Sequence, residues 1–376
     1  MIYLDHAATT PVLPAVAAAM ADCLRSPLGN ASALHEPGEA ARALVEQARV
    51  QVAALLDAKA SELVFTSGAT ESDNLALQGV FHPAGGHLVT SRIEHRAVLD
   101  TARQLQSRGV GVSLVTSDRG GRVEADRVAA VLRPDTRLVS IMLANNETGV
   151  LQDLPAIVAL CRARGVLVHT DAAQVVGHLP VSVRQLDVDL LSLSAHKMGG
   201  PSGIGALWVG DRARSLRPIL YGGGQENGLR PGTLPVHQIA GMGEACRVVA
   251  GDLVAEAQRQ RALCARLLGR LTALGGVSRN GTGDHAVPHI LNLRFEGVDG
   301  EALHASLPGL AVSGGSACGA ERGEPSYVLR ALGLADAQAE ASVRFSFGRE
   351  NTDKDIEEAA KIVEKAVIRL RGMSPV

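Results

Sequence analysis

The chain has 376 residues, 46% hydrophobic and 20% charged, with 37 Lys and Arg against 39 Asp and Glu. That near-neutral balance excludes a basic nucleic-acid binder and an acidic disordered chain, and five Phe, three Tyr and one Trp leave little on which to stack single-stranded bases. The length suggests two domains, or one large domain with an appendage, and the 41 dispersed Gly suit tight turns rather than collagen.

The chain opens with helical patterns at 12–25 and 36–57. From 61 to 210, short β-branched-rich runs at 62–66, 87–90, 110–115, 137–142, 166–169 and 188–193 read as strands. Helical patterns at 71–81, 96–108, 124–132 and 153–164 separate most of them. This alternation predicts an α/β fold, a mostly parallel sheet covered on both faces by helices. The run 203–209 follows a loop without a helix, so it is expected to be a seventh, antiparallel member. A single polar–apolar helical pattern over about 235–273 reads as a bridge between domains. After Gly275 and Gly276 the pattern changes, with strands at 290–295, 310–312 and 343–347 and a helix near 299–307. These predict a smaller α+β domain. The last helix starts on a capping-box-like Thr352 and Asp355, with Ile356, Ala359, Ala360, Val363, Val367 and Leu370 on one face. The N-terminal segment with its two helices is expected to pack toward the small domain. The boundaries drawn are 12–255 for the large cofactor-binding domain and 1–11 with 256–376 for the small one.

No apolar run reaches the roughly 18 residues of a membrane span, and the first residues lack a signal peptide's basic and apolar regions. A cytoplasmic location is expected. The five cysteines are widely spaced and include no Cys-x-x-Cys pair, so neither a zinc site nor a disulfide framework is indicated. Cys23, Cys161, Cys246 and Cys264 sit in Ala/Leu/Val-rich helical stretches and read as buried inert thiols. Cys318 lies in a Gly/Ser-rich stretch, 313–323, where an exposed and reactive thiol is expected.

In an open α/β sheet, ligands collect at the carboxyl ends of the strands. The first such end carries Ser-Gly-Ala-Thr-Glu-Ser-Asp-Asn at 67–74, with Thr70 placed to cap a helix. That turn is either an anion site or an ordinary capped helix. The other ends carry Glu94-His95, Asn145-Asn146-Glu147, His169 to Gln174 with Asp171, and Ser194 to Lys197 with His196. Polar groups at five strand ends point to one shared site. Lys197 supplies a desolvated amine, Asp171 a carboxylate for a pyridinium nitrogen, His95 a flat imidazole, and the Thr70 turn a phosphate cradle. Together they describe pyridoxal phosphate better than a nicotinamide or ATP. The glycines at 200–205 precede a strand rather than a helix, and no Walker or zinc-protease motif occurs.

These motifs, together with 3–11, 228–233 and 313–318, give the chain a resemblance over its whole length to the NifS/IscS-type cysteine desulfurases. Those are pyridoxal-phosphate enzymes with the fold of class V aminotransferases. The resemblance implies that Lys197 holds the cofactor, His95 stacks on its ring, Asp171 pairs with its nitrogen and Gln174 contacts its phenolic oxygen. It implies that Ala69, Thr70, Ser194 and His196 line the phosphate site, with Thr233 reaching in from the second subunit of a homodimer. Asn146, also beside the cofactor, and Arg344 would hold the carboxylate of L-cysteine, and Cys318 would carry the persulfide. A sulfur-acceptor protein, an iron–sulfur scaffold or a sulfur carrier, is the implied partner, with no membrane, metal or nucleic acid. After Cys318 the chain reads Gly-Ala-Glu-Arg-Gly where many relatives carry small hydroxyl residues. Rival readings are another enzyme on this scaffold, such as a selenocysteine lyase, aminotransferase or epimerase, or a catalytically silent binding protein.

Overall fold

A computed structural model of the chain describes residues 1–83, 85–314 and 324–373. It opens on a two-residue strand, β1 (Ile2–Tyr3), followed by helices Pro14–Arg25 and Glu36–Leu55. Then come β2 (Leu63–Thr66), β3 (His87–Ser91), β4 (Gly111–Val115), β5 (Thr136–Ser140), β6 (Leu167–Asp171), β7 (Leu190–Ser194) and β8 (Gly205–Val209). These seven form one sheet in the order β2-β8-β7-β6-β5-β3-β4. Only β8 among them runs antiparallel to its neighbours, β2 and β7. An antiparallel return needs no crossover helix, which is why the sequence before β8 carries none. The central strands are buried on both faces, so they read as apolar runs rather than alternating ones.

Helix Ala69–Val80 lies over one face, where Leu75, Leu77, Leu88, Leu138 and Leu190 share a core. A second and larger core covers the other face and includes Phe65, Val139, Val168, Leu191, Leu193 and Trp208. The C-terminal part adds β9 (Val277–Arg279), β10 (Ile290–Phe295), β11 (Leu310–Ala311) and β12 (Ser342–Ser346). Strands β12-β10-β9 make an antiparallel sheet, and β1 pairs in parallel with β11. Helices Leu253–Thr272 and Asp353–Met373 pack here around Leu267, Leu293, Phe345 and Val363, a core that Leu4 also enters. The expected start of the last helix is present: Thr352 N donates to Asp355 Oδ2 at 2.7 Å.

Three expectations are corrected. The helices near 12–25 and 36–57 do not pack with the small domain but on helix Val236–Ala250. Small residues make that contact close: a Cβ on Gly243 would lie 2.6 Å from Ala48 Cα. Only the first residues of the chain join the C-terminal part. The pattern at 235–273 is not one helix but two, broken at Gly251 and Asp252. Asp252 takes both Arg349 guanidinium nitrogens at 2.7 Å, a tertiary anchor that overrides local periodicity. Thr70 is not a cap, because the cap of helix Ala69–Val80 is Gly68, two residues earlier, which offers no side chain.

Candidate active site

The carboxyl ends of β2, β5, β6 and β7 open into a cleft of about 360 Å³. Ala69, Thr70, His95, Asn146, Asp171, Gln174, Ser194, His196, Lys197 and Arg344 all line it. The N-terminal segment crosses this cleft, tied to β12 where Ala7 N donates to Ser346 Oγ at 2.8 Å. Its backbone receives the lysine: Lys197 Nζ donates to Ala7 O and Ala8 O, each at 2.7 Å. Gln174 Nε2 donates to the same Ala7 carbonyl at 3.0 Å.

Asp171 ends β6 with its carboxyl buried and Oδ1 accepting from Ala173 N at 2.9 Å. Burial lifts this carboxyl above its ordinary range, against the opposing pull of His95, the Ala173 amide and Lys197. A cation placed against it would favour the ionised form again. Beneath it, Asp73 and Glu94 are fully buried. Burial raises Asp73 well above its ordinary value, with the charge of Asp171 adding to the effect, and pushes Glu94 up to about 8. His169 sits among them, bonded to Ser140 Oγ at 2.8 Å and Ser192 Oγ at 3.0 Å, and burial pushes it down to about 3.

His95 begins helix Arg96–Ser107, and its Nδ1 accepts from Ala97 N at 3.2 Å. An accepting Nδ1 leaves the proton of the neutral ring on Nε2. Burial holds the ring below its usual pKa, so it stays neutral near pH 7. His196 is likewise pushed down to about 4 by burial and then by Lys197, while its Nδ1 lies 3.1 Å from Thr9 Oγ1.

The turn at 67–70 leaves the start of its helix without a side-chain cap. Gly68 takes φ +150, and no side chain caps the first amides of the following helix. Its backbone also passes very close to β8, since a Cβ on Gly205 would lie 2.6 Å from Gly68 Cα. Uncapped amides at a helix start, beside Ser194 and Thr70, make a cradle suited to phosphate. Glu71 braces it, accepting from Ser67 N at 2.6 Å and Arg230 Nε at 2.8 Å.

Arg344 is fully buried and ion-paired, Nη2 to Asp5 Oδ1 at 2.8 Å, while Nη1 donates to Asn146 O at 2.8 Å. Arg344 Nε and Asn146 Oδ1 are buried polar atoms without a hydrogen-bond partner. They suit a ligand carrying a carboxylate and a donor.

The aminotransferase class-V family pattern matches residues 2–358. A cysteine desulfurase IscS from Pseudomonas putida is 51% identical over 381 aligned residues, covering 100% of this chain and 94% of that one. The chain belongs to the class-V aminotransferases, among the NifS/IscS-type cysteine desulfurases. Two solved structures share the family fold. A NifS-like protein matches with TM-score 0.91 and 34% identity over 98% of this chain and 100% of its own. SspA in complex with cysteine matches with TM-score 0.83 and 38% identity over 92% and 99%.

Members of this family use pyridoxal phosphate, and the residues present fit it: a lysine amine, a buried carboxyl, a neutral imidazole and an uncapped helix start face one cleft. Two expected residues stand apart. Thr233 is exposed and does not line the cleft of its own chain. Cys318 lies outside the described residues. Asp5, Ala7, Ala8, Asp73 and Arg230 were not singled out from sequence. The motif at 3–11 was the available signal for the first three, but a carbonyl's role leaves no trace in side-chain type. No helix among the described residues is long and apolar enough to cross a membrane.

Proposed function

We propose that the chain is a cysteine desulfurase, converting L-cysteine to L-alanine and leaving the sulfur as a persulfide on Cys318. The observation that carries this is the convergence of Lys197, Asp171 and Arg344 on one cleft, in a chain about half identical to an IscS desulfurase over its whole length. The cysteine bound by the structurally similar SspA supports the substrate.

Pyridoxal phosphate, when bound, supplies an electron sink for the carbon beside the substrate amine. Lys197 would hold it covalently, and its Nζ, once released, is placed to receive the Cα proton of the substrate. Asp171 would pair with the ring nitrogen, neutral His95 would stack on the ring, and Gln174 would contact the phenolic oxygen. Ala69, Thr70, Ser194 and His196 would hold the phosphate, joined by Thr233 from the partner subunit of a homodimer. Arg344 and Asn146 orient the substrate carboxylate. Arg344 has five N–H donors and directs one to Asp5 and one to Asn146, leaving a donor edge for a carboxylate. The Cys318 thiolate attacks the substrate sulfur; the S–S bond forms as the C–S bond breaks, and the carbon takes a proton to give alanine. The persulfide sulfur passes to an acceptor, an iron–sulfur scaffold or a sulfur carrier.

The test is purified protein given pyridoxal phosphate and L-cysteine, with alanine, sulfide and keto acid measured together. Alanine and sulfane sulfur in equal amounts are expected, with none from Lys197→Ala. Keto acid in place of alanine would make it an aminotransferase, and no cofactor absorption band would make it a binding protein.

A further inference from the structure

The phosphate cradle has a charge conflict built into it. Its donors are the amides that open helix Ala69–Val80, yet Glu71 stands in the first turn of that helix and lines the same cleft. A bare carboxylate there would oppose the attraction that the helix start exerts on a phosphate dianion. Burial works to raise the Glu71 carboxyl, but Arg230 and the Ser67 amide outweigh it and hold it below its ordinary range. Glu71 is therefore ionised near pH 7. It is also needed in the turn, because its Oε2 accepts from Ser67 N at 2.6 Å.

Arg230 answers that charge. Its Nε donates to Glu71 Oε1 at 2.8 Å and its Nη2 to Oε2 at 3.3 Å, the two-point contact by which a guanidinium matches a carboxylate. Arg230 itself does not line the cleft. The loop that carries it is held from elsewhere. Glu226 is buried, takes Arg49 Nη2 at 2.7 Å and Nη1 at 2.8 Å, and accepts from Phe65 N in β2 at 2.7 Å. Glu226, Asn227 and Gly228 follow one another at φ +49, +56 and +77, a left-handed run that the first two adopt only at a cost. Gly232 N then donates to Gln225 Oε1 at 2.9 Å. An ordinary surface ion pair gains little from so costly a mounting. One that cancels a charge at an anion site gains more.

We propose that Arg230 fits the cradle to phosphate by neutralising Glu71, so that Glu71 can hold the Ser67 amide without presenting net negative charge to the cofactor's phosphate. Arg230 is then a positioning residue that acts through Glu71. This rests on the pyridoxal-phosphate reading of the cleft.

The experiment is equilibrium dialysis of purified holoenzyme and its variants against graded pyridoxal phosphate, with a parallel series in pyridoxal, the same ring without the phosphate. Arg230→Ala should raise Kd for pyridoxal phosphate by about tenfold or more, because it uncovers a like charge in a part-buried site. Arg230→Lys, which keeps the charge, should recover most of that loss. Glu71→Gln sheds the charge and keeps an oxygen for the Ser67 amide, so it should bind at least as tightly as the parent. The deciding variant combines Glu71→Gln with Arg230→Ala: its Kd should return to within about threefold of the parent's, because the charge that Arg230 cancels is gone. Pyridoxal should bind the parent and Arg230→Ala alike. A double variant as weak as Arg230→Ala would overturn the inference and leave Arg230 a brace of its loop. So would a parental Kd in Arg230→Ala, or pyridoxal weakened as much as pyridoxal phosphate. A parent that retains no pyridoxal phosphate would overturn the cofactor reading itself, and the inference with it.

Discussion

Arg344 Nη2 donates to Asp5 Oδ1 at 2.8 Å, joining residues 339 positions apart. The arginine side chain is 1% exposed and the aspartate 18%. The pair therefore fixes the guanidinium in the cleft and holds the N-terminal segment over it, where Ala7 and Ala8 receive the Lys197 amine.

Arg344→Lys keeps the charge and loses the planar fork. A lysine ammonium cannot satisfy Asp5, the Asn146 carbonyl and a substrate carboxylate in the same fixed geometry. KM for L-cysteine should rise by about tenfold or more while cofactor content stays near that of the parent. Steady-state kinetics with a cofactor absorption measurement checks both, and an unchanged KM would remove Arg344 from substrate binding.

Much of this site was legible because its parts sit at strand ends. β-branched runs separated by helical patterns located the seven strands, and the carboxyl-end rule gathered His95, Asp171, Ser194 and Lys197 into one place. What escaped depends on tertiary partners. The break at Gly251 and Asp252 is held by Arg349, about a hundred residues away in sequence. The first two long helices present Ala-rich faces, such as Ala41 and Ala48, that name no partner. Thr70 carries the side chain of a cap, yet Gly68 occupies that position because only glycine tolerates its backbone angle. Ala7 and Ala8 act through carbonyls, which every residue possesses.

Glu94 gives a pH signature. Its buried carboxyl titrates near 8 in the fold against an ordinary 4.5, so the folded chain keeps a proton that the unfolded chain releases between those values. Stability from this group therefore falls as pH rises from 4.5 to about 8. Glu94→Gln, which mimics the protonated form, should melt like the parent at the acid end of that window. From pH 4.5 up to about 8 the variant should lose less stability than the parent, because only the parent's unfolded chain releases this proton. Melting temperatures across that range decide it, and parallel curves would refute the assignment.

Asp171→Asn keeps an oxygen for the Ala173 amide, so the turn after β6 should persist. It removes the negative charge proposed to pair with the ring nitrogen. Cofactor should dissociate faster, and turnover should fall on the order of a hundredfold, the scale of losing one preorganised charge in a closed site. Equilibrium dialysis against pyridoxal phosphate and an alanine assay measure the two effects. Parental values of both would leave Asp171 a structural carboxyl only.

Cys23, Cys161, Cys246 and Cys264 are all buried, and burial pushes the thiols of Cys161 and Cys246 up to about 12. A thiol that high is almost wholly protonated at neutral pH and reacts slowly with an electrophile. Under native conditions an alkylating reagent should therefore modify one cysteine per chain rapidly, and mass mapping should place it at Cys318. Prior addition of L-cysteine should shift the labelled mass by one sulfur. Cys318→Ala should show no rapid labelling, bind cofactor normally, change its absorption on adding L-cysteine, and yield no alanine. Full alanine production by that variant would send the sulfur by another route and leave Cys318 an incidental thiol.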